Sequence, residues 1–252
     1  MITVKSPQDI DKMRLANKIT AMALREVANA AAPGLTTREL DSLAETYIRD
    51  NGARPAFKGY RGYPCTICSS IDDEVVHGIP SDRVLEPGQI LSIDMGVYAD
   101  GYYGDSAVTV PIGEVDEKKR RLMAVTKHAL EMGIAEAVVG NTLYDIAAAI
   151  QTETERNGFA IVRQFVGHGI GRELHEAPRV PNHADDAPRL KLREGMTLAI
   201  EPMVNAGDYR VRVLEDMWTA VTLDGSPSAH FEHTIAVTND GPLVLTILPQ
   251  DE

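Results

Sequence analysis

The stretch "SIDMGVYADGYYGDSAVTVP", residues 92–111, reads as two apolar strands folded back on each other around Ala99-Asp100-Gly101, and each strand carries an aspartate in its middle. In an antiparallel hairpin the place of the turn decides which residues meet. A two-residue turn at Ala99-Asp100 would set Asp94 opposite Asp105, with Cβ atoms about 4.5 to 5.5 Å apart. A turn at Asp100-Gly101, a favoured type I′ pair, would make the two acids diagonal neighbours on one face, and only a three-residue loop without a bulge would separate them. Carboxylates side by side in an apolar setting repel, so one must be protonated or a cation must be supplied. A metal is the simplest answer. The alternative is a solvated face, for which Ile93, Met95, Val97 and Val108 leave little polar surface.

Other acids sit in similar company. "LAIEPMV" (198–204) and "FEHTIAV" (231–237) each place a glutamate, Glu201 and Glu232, inside an apolar strand, and "GHGIGRELHEAP" (167–178) offers His168 in a glycine-flanked turn after the strand-like "IVRQFV". Four carboxylates and one imidazole without cysteine suit hard or borderline divalent ions such as Mn, Fe, Co or Zn. Two ions fit this set better than one, because opposed acids can bridge ions about 3.5 to 4 Å apart that share a hydroxide nucleophile.

The surrounding pattern is helices followed by strands, twice. Ser6-Pro7 with Asp9 starts a long amphipathic helix that Pro33-Gly34 stops, and Thr36 with Glu39 caps a second that ends at Asn51-Gly52. Residues 113–140 read as a third helix, and Thr142 with Asp145 caps a fourth that ends at Asn157-Gly158. Gly34, Thr36, Asn51 and Gly52 recur as Gly140, Thr142, Asn157 and Gly158, an offset of 106, while Asp94 and Glu201 are 107 apart. Such an offset suggests duplication. "CTICSSI", "QILSIDMGV" and "YYGDSAVTV" supply strands in the first half, and "FAIVRQFV", "MTLAIEPMV", "WTAVTL" and "FEHTIAV" in the second. We expect an α+β fold with antiparallel sheet. Residues 1–252 would form a single domain with a pseudo-repeat over approximately 6–112 and 113–246, its N-terminal helix free to pack outside the repeated core.

Composition narrows the function. The 252 residues carry 25 Lys and Arg against 37 Asp and Glu, a net charge of −12, which argues against a dominant nucleic-acid or anionic-membrane surface while leaving room for a local basic patch. The N-terminus lacks the apolar core of a secretory signal, and there is no apolar run of about 18 residues. A soluble cytoplasmic protein is expected. Cys65 and Cys68 form one CxxC without a second cluster at zinc-site spacing, so neither a structural zinc site nor a disulfide framework is expected.

"HGIP" (77–80), "DMGVYADGYYGDSA" (94–107), "GHGIGRELHEAP", "IEPMV" (200–204) and "FEHT" (231–234), in that order and spacing, resemble the type I methionine aminopeptidases of pita-bread fold over nearly the whole chain. The resemblance implies an antiparallel sheet covered by two pairs of helices and a dinuclear site held by Asp94, Asp105, His168, Glu201 and Glu232, with Asp105 and Glu232 bridging. It also implies that Glu201 handles the proton and that His77 and His175 contact substrate and tetrahedral intermediate. Around "FKGYRGYP" (57–64) and "CTIC" (65–68) it assigns Phe57, Tyr60, Tyr63, Cys68, Leu174 and Trp218 to a methionine pocket and its rim. At two of these the chain departs from many relatives, which carry Cys where Phe57 stands and an aromatic where Leu174 stands.

The implied activity is removal of the initiator methionine from nascent chains and peptides with a small second residue, by a monomer with possible transient ribosome contact and no DNA or membrane partner. Three rivals can be weighed. A Xaa-Pro aminopeptidase of the same fold usually carries a large N-terminal domain, for which a first helix starting near Ser6 leaves no room. A type II methionine aminopeptidase would carry a helical insertion, against which the short path from Glu201 to Glu232 argues. A non-catalytic pita-bread protein binding peptides or RNA would show lost ligands and a basic face.

Overall fold

In the computed structural model, which describes residues 2–247, each helix begins where a side chain can satisfy its first N–H groups. Helix α1 (Pro7–Ala30) has a capping box in which the Ser6 hydroxyl accepts from the Asp9 N–H and the Asp9 carboxylate accepts from the Ser6 N–H. Helices α2 (Thr37–Asp50) and α4 (Leu143–Arg156) are capped the same way, by Thr36 with Glu39 and by Thr142 with Asp145. Helix α3 (Glu117–Ala135) starts later than residue 113 because Asp116 takes the cap, accepting from the Lys119 N–H at 2.8 Å.

Nine strands of the described residues join in one sheet whose pairings are all antiparallel: β1 (Arg54–Pro55), β2 (Ile67–Ile71), β3 (Ile90–Ala99), β4 (Tyr102–Pro111), β5 (Gly167–Gly169), β6 (Glu176–Val180), β7 (Thr197–Ile200), β8 (Glu232–Thr238) and β9 (Gly241–Val244). The order across it is β1-β3-β4-β8-β7-β5-β6, with β2 on β3 and β9 on β8. Two elements recur at the offset of 106: α2 becomes α4, and β1 becomes the short strand Ala160–Ile161. The isolated bridges Thr36↔Val84 and Thr142↔Lys191 recur nearly as closely.

The hairpin adopts the second of the two tight registers. Asp94 pairs with Ala107 and Gly96 with Asp105, so the acids are diagonal neighbours, and the turn residues Asp100 (φ 50°) and Gly101 (φ 83°) both lie in the left-handed region a type I′ turn requires. Alternation then sorts the faces. Leu91, Ile93, Met95 and Val97 of β3 pack with Ala16, Ile19, Ala23 and Val27 of α1 and Leu40 and Ile48 of α2. Leu198, Ile200, Ile235 and Val237 of β7 and β8 pack under Leu122, Val125, Leu130 and Ile146 of α3 and α4. Each such buried branched side chain is worth about 1.5–3 kcal/mol of transfer free energy. The opposite face carries Asp94, Asp105 and Glu232.

Four expectations are corrected. Helix α1 does not pack outside the repeated core; its apolar stripe is half of the helix layer over β3 and β4. "FAIVRQFV" forms a strand only at Ala160–Ile161, because beyond Val162 its apolar side chains pack into the cluster of Val75, Val76 and Met203 and onto His77 rather than standing along a ladder. "MTLAIEPMV" is two strands, β7 and Met203–Asn205, which belong to different sheets; Pro202, lacking an N–H, stands at the break, so Glu201 lies beyond the end of a strand. Finally, His168 lies within β5 and not in a turn: a Cβ at Gly167 would collide with the Ala199 carbonyl and one at Gly169 with the Ala177 carbonyl. Those glycines serve close strand contact.

Gly104 plays a similar part between layers, since a Cβ there would stand 2.8 Å from the backbone N and Cα of Asn17 in α1. Gly104→Ala should therefore cost about 1–3 kcal/mol through displaced packing, seen as a lower urea midpoint with an unchanged slope.

Candidate metal centre and substrate cavity

Sheet register brings the acids together. Ala107 of β4 pairs with Asp94 on one side and Glu232 on the other, so a small residue separates two carboxylates in one row, with Asp105 two positions along the central strand on the same face. His168 pairs with Ala199, and Ala199 with Thr234, which puts the imidazole on that face two strands beyond Glu232. Glu201 follows two residues after Ala199.

Buried hydroxyls tie these strands where the ladder is short. The Thr234 hydroxyl donates to the Asp105 carbonyl at 2.8 Å and accepts from the Asp105 N–H at 3.2 Å. The Ser106 hydroxyl donates to the Glu232 carbonyl at 2.7 Å, and that of Thr109 to the His230 carbonyl at 2.8 Å.

Asp105, His168 and Glu232 are buried, and one ligand atom from each falls within 4.8 Å of the others. Asp94 and Glu201 are half-buried. His168 Nε2 stands 3.8 Å from Asp105 Oδ2 and 3.6 Å from Glu201 Oε1, beyond hydrogen-bond length but equal to the separation of about 3 to 4 Å between atoms sharing one ion at 2.0–2.2 Å each. His168 Nδ1 lies 2.9 Å from the Gly169 carbonyl; a carbonyl only accepts, so the proton belongs on Nδ1 and the Nε2 lone pair faces the carboxylates. Oδ1 of Asp94, Oδ1 of Asp105 and Oε1 of Glu232 are buried without a hydrogen-bond partner. Carboxylates with orphaned buried oxygens, grouped with an imidazole lone pair, are a donor set that fits a divalent cation.

Electrostatics agree. Burial pushes the Asp94 carboxyl up to about 7. Asp105, Glu201 and Glu232 are pushed well above the usual carboxylate range, first by burial and then by the charge of their neighbours. The imidazoles move the other way: burial, aided by His175, lowers His168 to about 3 and His77 to about 4, and burial with the Arg61 charge lowers His175 to about 4. All three are neutral at pH 7.

A cavity of about 140 Å³ opens over the acids. All five expected ligands reach it, and so do Phe57, Tyr60, Tyr63 and Cys68 together with His77, Leu174, His175 and Trp218. Cys68 is the ladder partner of Asp94, so the pocket wall and the acid row share a backbone pairing. The Tyr63 hydroxyl shares its one proton between the carbonyls of Ile67 (3.0 Å) and Gly78 (2.9 Å), holding its ring edge-on to Trp218 at 5.1 Å. His175 lies between Tyr60, stacked at 5.3 Å, and His168 at 4.1 Å. Phe57 lies against Gly96, where a Cβ would stand 2.7 Å from its ring, and shares an apolar cluster with Leu174, so a larger residue at one position meets a smaller one at the other.

Three neighbours escaped sequence reasoning. Arg61 lines the cavity; Phe165 meets the His77 ring at 5.4 Å; His230 is buried with Nε2 unpartnered, 4.0 Å from Glu201 Oε2. The only signal for His230 was its place two residues before Glu232, although the two residues fall in different strands. Nothing in sequence marked the other two.

Known proteins resemble this chain closely. Metallopeptidase family M24 matches residues 11–239. Methionine aminopeptidase 1 of Bacillus subtilis is 47% identical over 246 residues, covering 98% of this chain and 99% of that protein, and a methionine aminopeptidase of Clostridium acetobutylicum is 48% identical over 248 residues, covering 98% and 99%. The crystal structure of a methionine aminopeptidase from Thermotoga maritima superposes with a TM-score of 0.96 at 47% identity, over 98% of this chain and all of that one. With the antiparallel sheet under two helix pairs, the chain belongs to metallopeptidase family M24, among its methionine aminopeptidases of pita-bread fold.

Proposed function

We propose that Asp94, Asp105, His168, Glu201 and Glu232 hold two divalent ions, Asp105 and Glu232 bridging them, and that this centre removes the initiator methionine from N-termini with a small second residue. The observation that carries the reading is the gathering of four carboxylates and one neutral imidazole at a cavity floor, with three carboxylate oxygens buried and unpartnered. When bound, the ions supply Lewis acidity toward the scissile carbonyl and lower the pKa of a water toward neutrality. The donor set suits Mn, Fe, Co or Zn.

The chain's own groups divide the remaining work. Glu201, half-buried beside the floor, takes a proton and passes it to the departing amine. Neutral His77 and His175 each keep a ring N–H to donate, His77 to the substrate and His175 to the developing oxyanion. The substrate's α-amine is drawn to the carboxylate end, which restricts cleavage to the first peptide bond. Tyr63, Cys68 and Trp218, with Phe57 and Leu174, offer a thioether an apolar, aromatic-edged pocket, and Tyr60 forms its rim.

Residues 1–252 are read as one catalytic unit of two halves, 6–112 and 113–246. No helix of the described residues is long and apolar enough to cross a membrane; we place the enzyme in the cytoplasm as a monomer with transient contact to the ribosome. Failure to co-sediment with ribosomes at both low and moderate salt would remove that contact, and a dimer in analytical ultracentrifugation would remove the monomer.

Free methionine should be released from Met-Ala-Ser, the release should stop with chelator and return with Mn, Fe or Co, and Glu232→Ala should reduce turnover at least about 100-fold while keeping the native circular dichroism spectrum. Near wild-type activity in that variant would sink the bridging role.

Metal should also remove the pH dependence of stability that the raised carboxyls impose. Above pH 7 the lowered imidazoles of His77, His168 and His175 are neutral when folded and unfolded carboxyls are ionised, whereas Asp94, at about 7, and Asp105, Glu201 and Glu232, raised well above the usual carboxylate range, hold protons that the unfolded chain has lost. Chelated protein should therefore melt at a lower temperature at pH 8 than at pH 7, and added metal should recover more at pH 8. A flat chelated profile would contradict the raised carboxyls.

A further inference from the structure

Four cations gather on one side of the cavity, in a chain of net charge −12. Among the described residues Arg61 is the only lysine or arginine lining the cavity. Its backbone (φ 50°) lies in the left-handed region, as do Gly59 (φ 88°) and Gly62 (φ 90°), and this tight turn sets its guanidinium carbon 5.3 Å from the centre of the Tyr60 ring. Beyond Tyr60 lies a second hollow of about 360 Å³, walled by Arg49, Arg54 and Lys58 with Tyr98 and Tyr103. Tyr60 lines both spaces.

These charges are not balanced locally. One carboxylate, that of Glu45, is shared by Arg49 at 2.8 Å and Lys58 at 2.7 Å. Arg54 lies 4.5 Å over the Tyr98 ring, and among the described residues neither it nor Arg61 has a carboxylate within ion-pair distance. Within ion-pair distance four cations thus share one anion, while the charges of Asp41 and Glu173 reach Lys58 and Tyr103 from further away. The cavity acids do not supply the balance, because on the proposed reading two divalent ions already neutralise their four charges.

We propose that this basic hollow, reached from the active site past Tyr60 and Arg61, binds acidic side chains carried by the substrate beyond its second residue. A peptide whose first residue fills the cavity must leave by its mouth, and an extended chain gains about 3.3 Å per residue, so a few residues bring it across Tyr60 to Arg54 and Lys58. Guanidinium groups match carboxylates in charge and in planar hydrogen-bond geometry. The tyrosine rings flank the aliphatic stems. The inference rests on the peptidase reading and adds a substrate class to it.

The metal-loaded enzyme is tested on Met-Ala-led hexapeptide amides with glutamate placed in turn at the third to sixth positions, each against its glutamine counterpart. At least one glutamate peptide should exceed its counterpart about fivefold in kcat/KM at low salt, as expected for one exposed ion pair. That ratio should shrink at about 0.15 M salt and approach one both in Arg61→Gln and in the double variant Arg54→Gln, Lys58→Gln. These side chains are exposed, so the variants should fold, and the salt response of the unmodified enzyme is a separate readout. Methionine release at equal rates from glutamate and glutamine peptides would overturn the basic subsite and leave the peptidase reading standing. No release from any peptide would overturn both. Single-stranded RNA binding abolished by the same substitutions, with no glutamate advantage, would assign the surface to nucleic acid instead.

Discussion

Four carboxylates gathered at one cavity, Asp94, Asp105 and Glu232 on one face of the sheet and Glu201 just past a strand end, repel one another and resist desolvation, and the rest of the molecule is arranged around that constraint. In water each would be ionised and apart. Here burial raises all four, and the charge of neighbouring carboxylates adds to the rise at Asp105, Glu201 and Glu232; the buried oxygens without hydrogen-bond partners form a donor set that fits a cation. Such a cluster survives only where the surrounding framework is stiff enough to oppose its dispersal.

That stiffness has identifiable sources. Helices α1 and α2 cover one half of the sheet and α3 and α4 the other, so the apolar alternates of β3, β7 and β8 are committed to the helix layer and the acids are committed to the other face. A slip of one residue in any strand would exchange the two sets. Hydroxyls of Ser106, Thr109 and Thr234 tie β4 to the chain around β8, supplying local pinning where only two ladder pairs are made. The glycines on either side of His168 let β5 approach its neighbours closely enough for the imidazole to arrive beside Asp105.

The substrate side is built on the same frame. Cys68 is the ladder neighbour of Asp94, and His175 lies between Tyr60 and His168, so the cavity wall, the acid row and the His175 ring are placed by shared pairings and contacts. The basic hollow adjoins this frame through Tyr60 and concentrates positive charge in an acidic protein. A uniform count of charge along the chain hides that concentration.

The capped helix starts at Ser6, Thr36 and Thr142, the hairpin and the identity of the candidate ligands were readable because their causes are local. Ser6 with Asp9, Thr36 with Glu39 and Thr142 with Asp145 each act within one turn of helix, and a type I′ turn at Asp100-Gly101 needs only two residues able to adopt positive φ. What escaped depends on partners far along the chain. Whether Gly167 and Gly169 mean a turn or a tight strand depends on carbonyls at 199 and 177, and the end of β7 before Glu201 depends on two sheets parting at Pro202. His230 and the unbalanced pair Arg54 and Arg61 acquire meaning only from which charges lie beside them in space. The sequence by itself determined which groups the protein would have to accommodate; tertiary structure decided which meet, because strand register and layer packing set distances between residues more than a hundred positions apart.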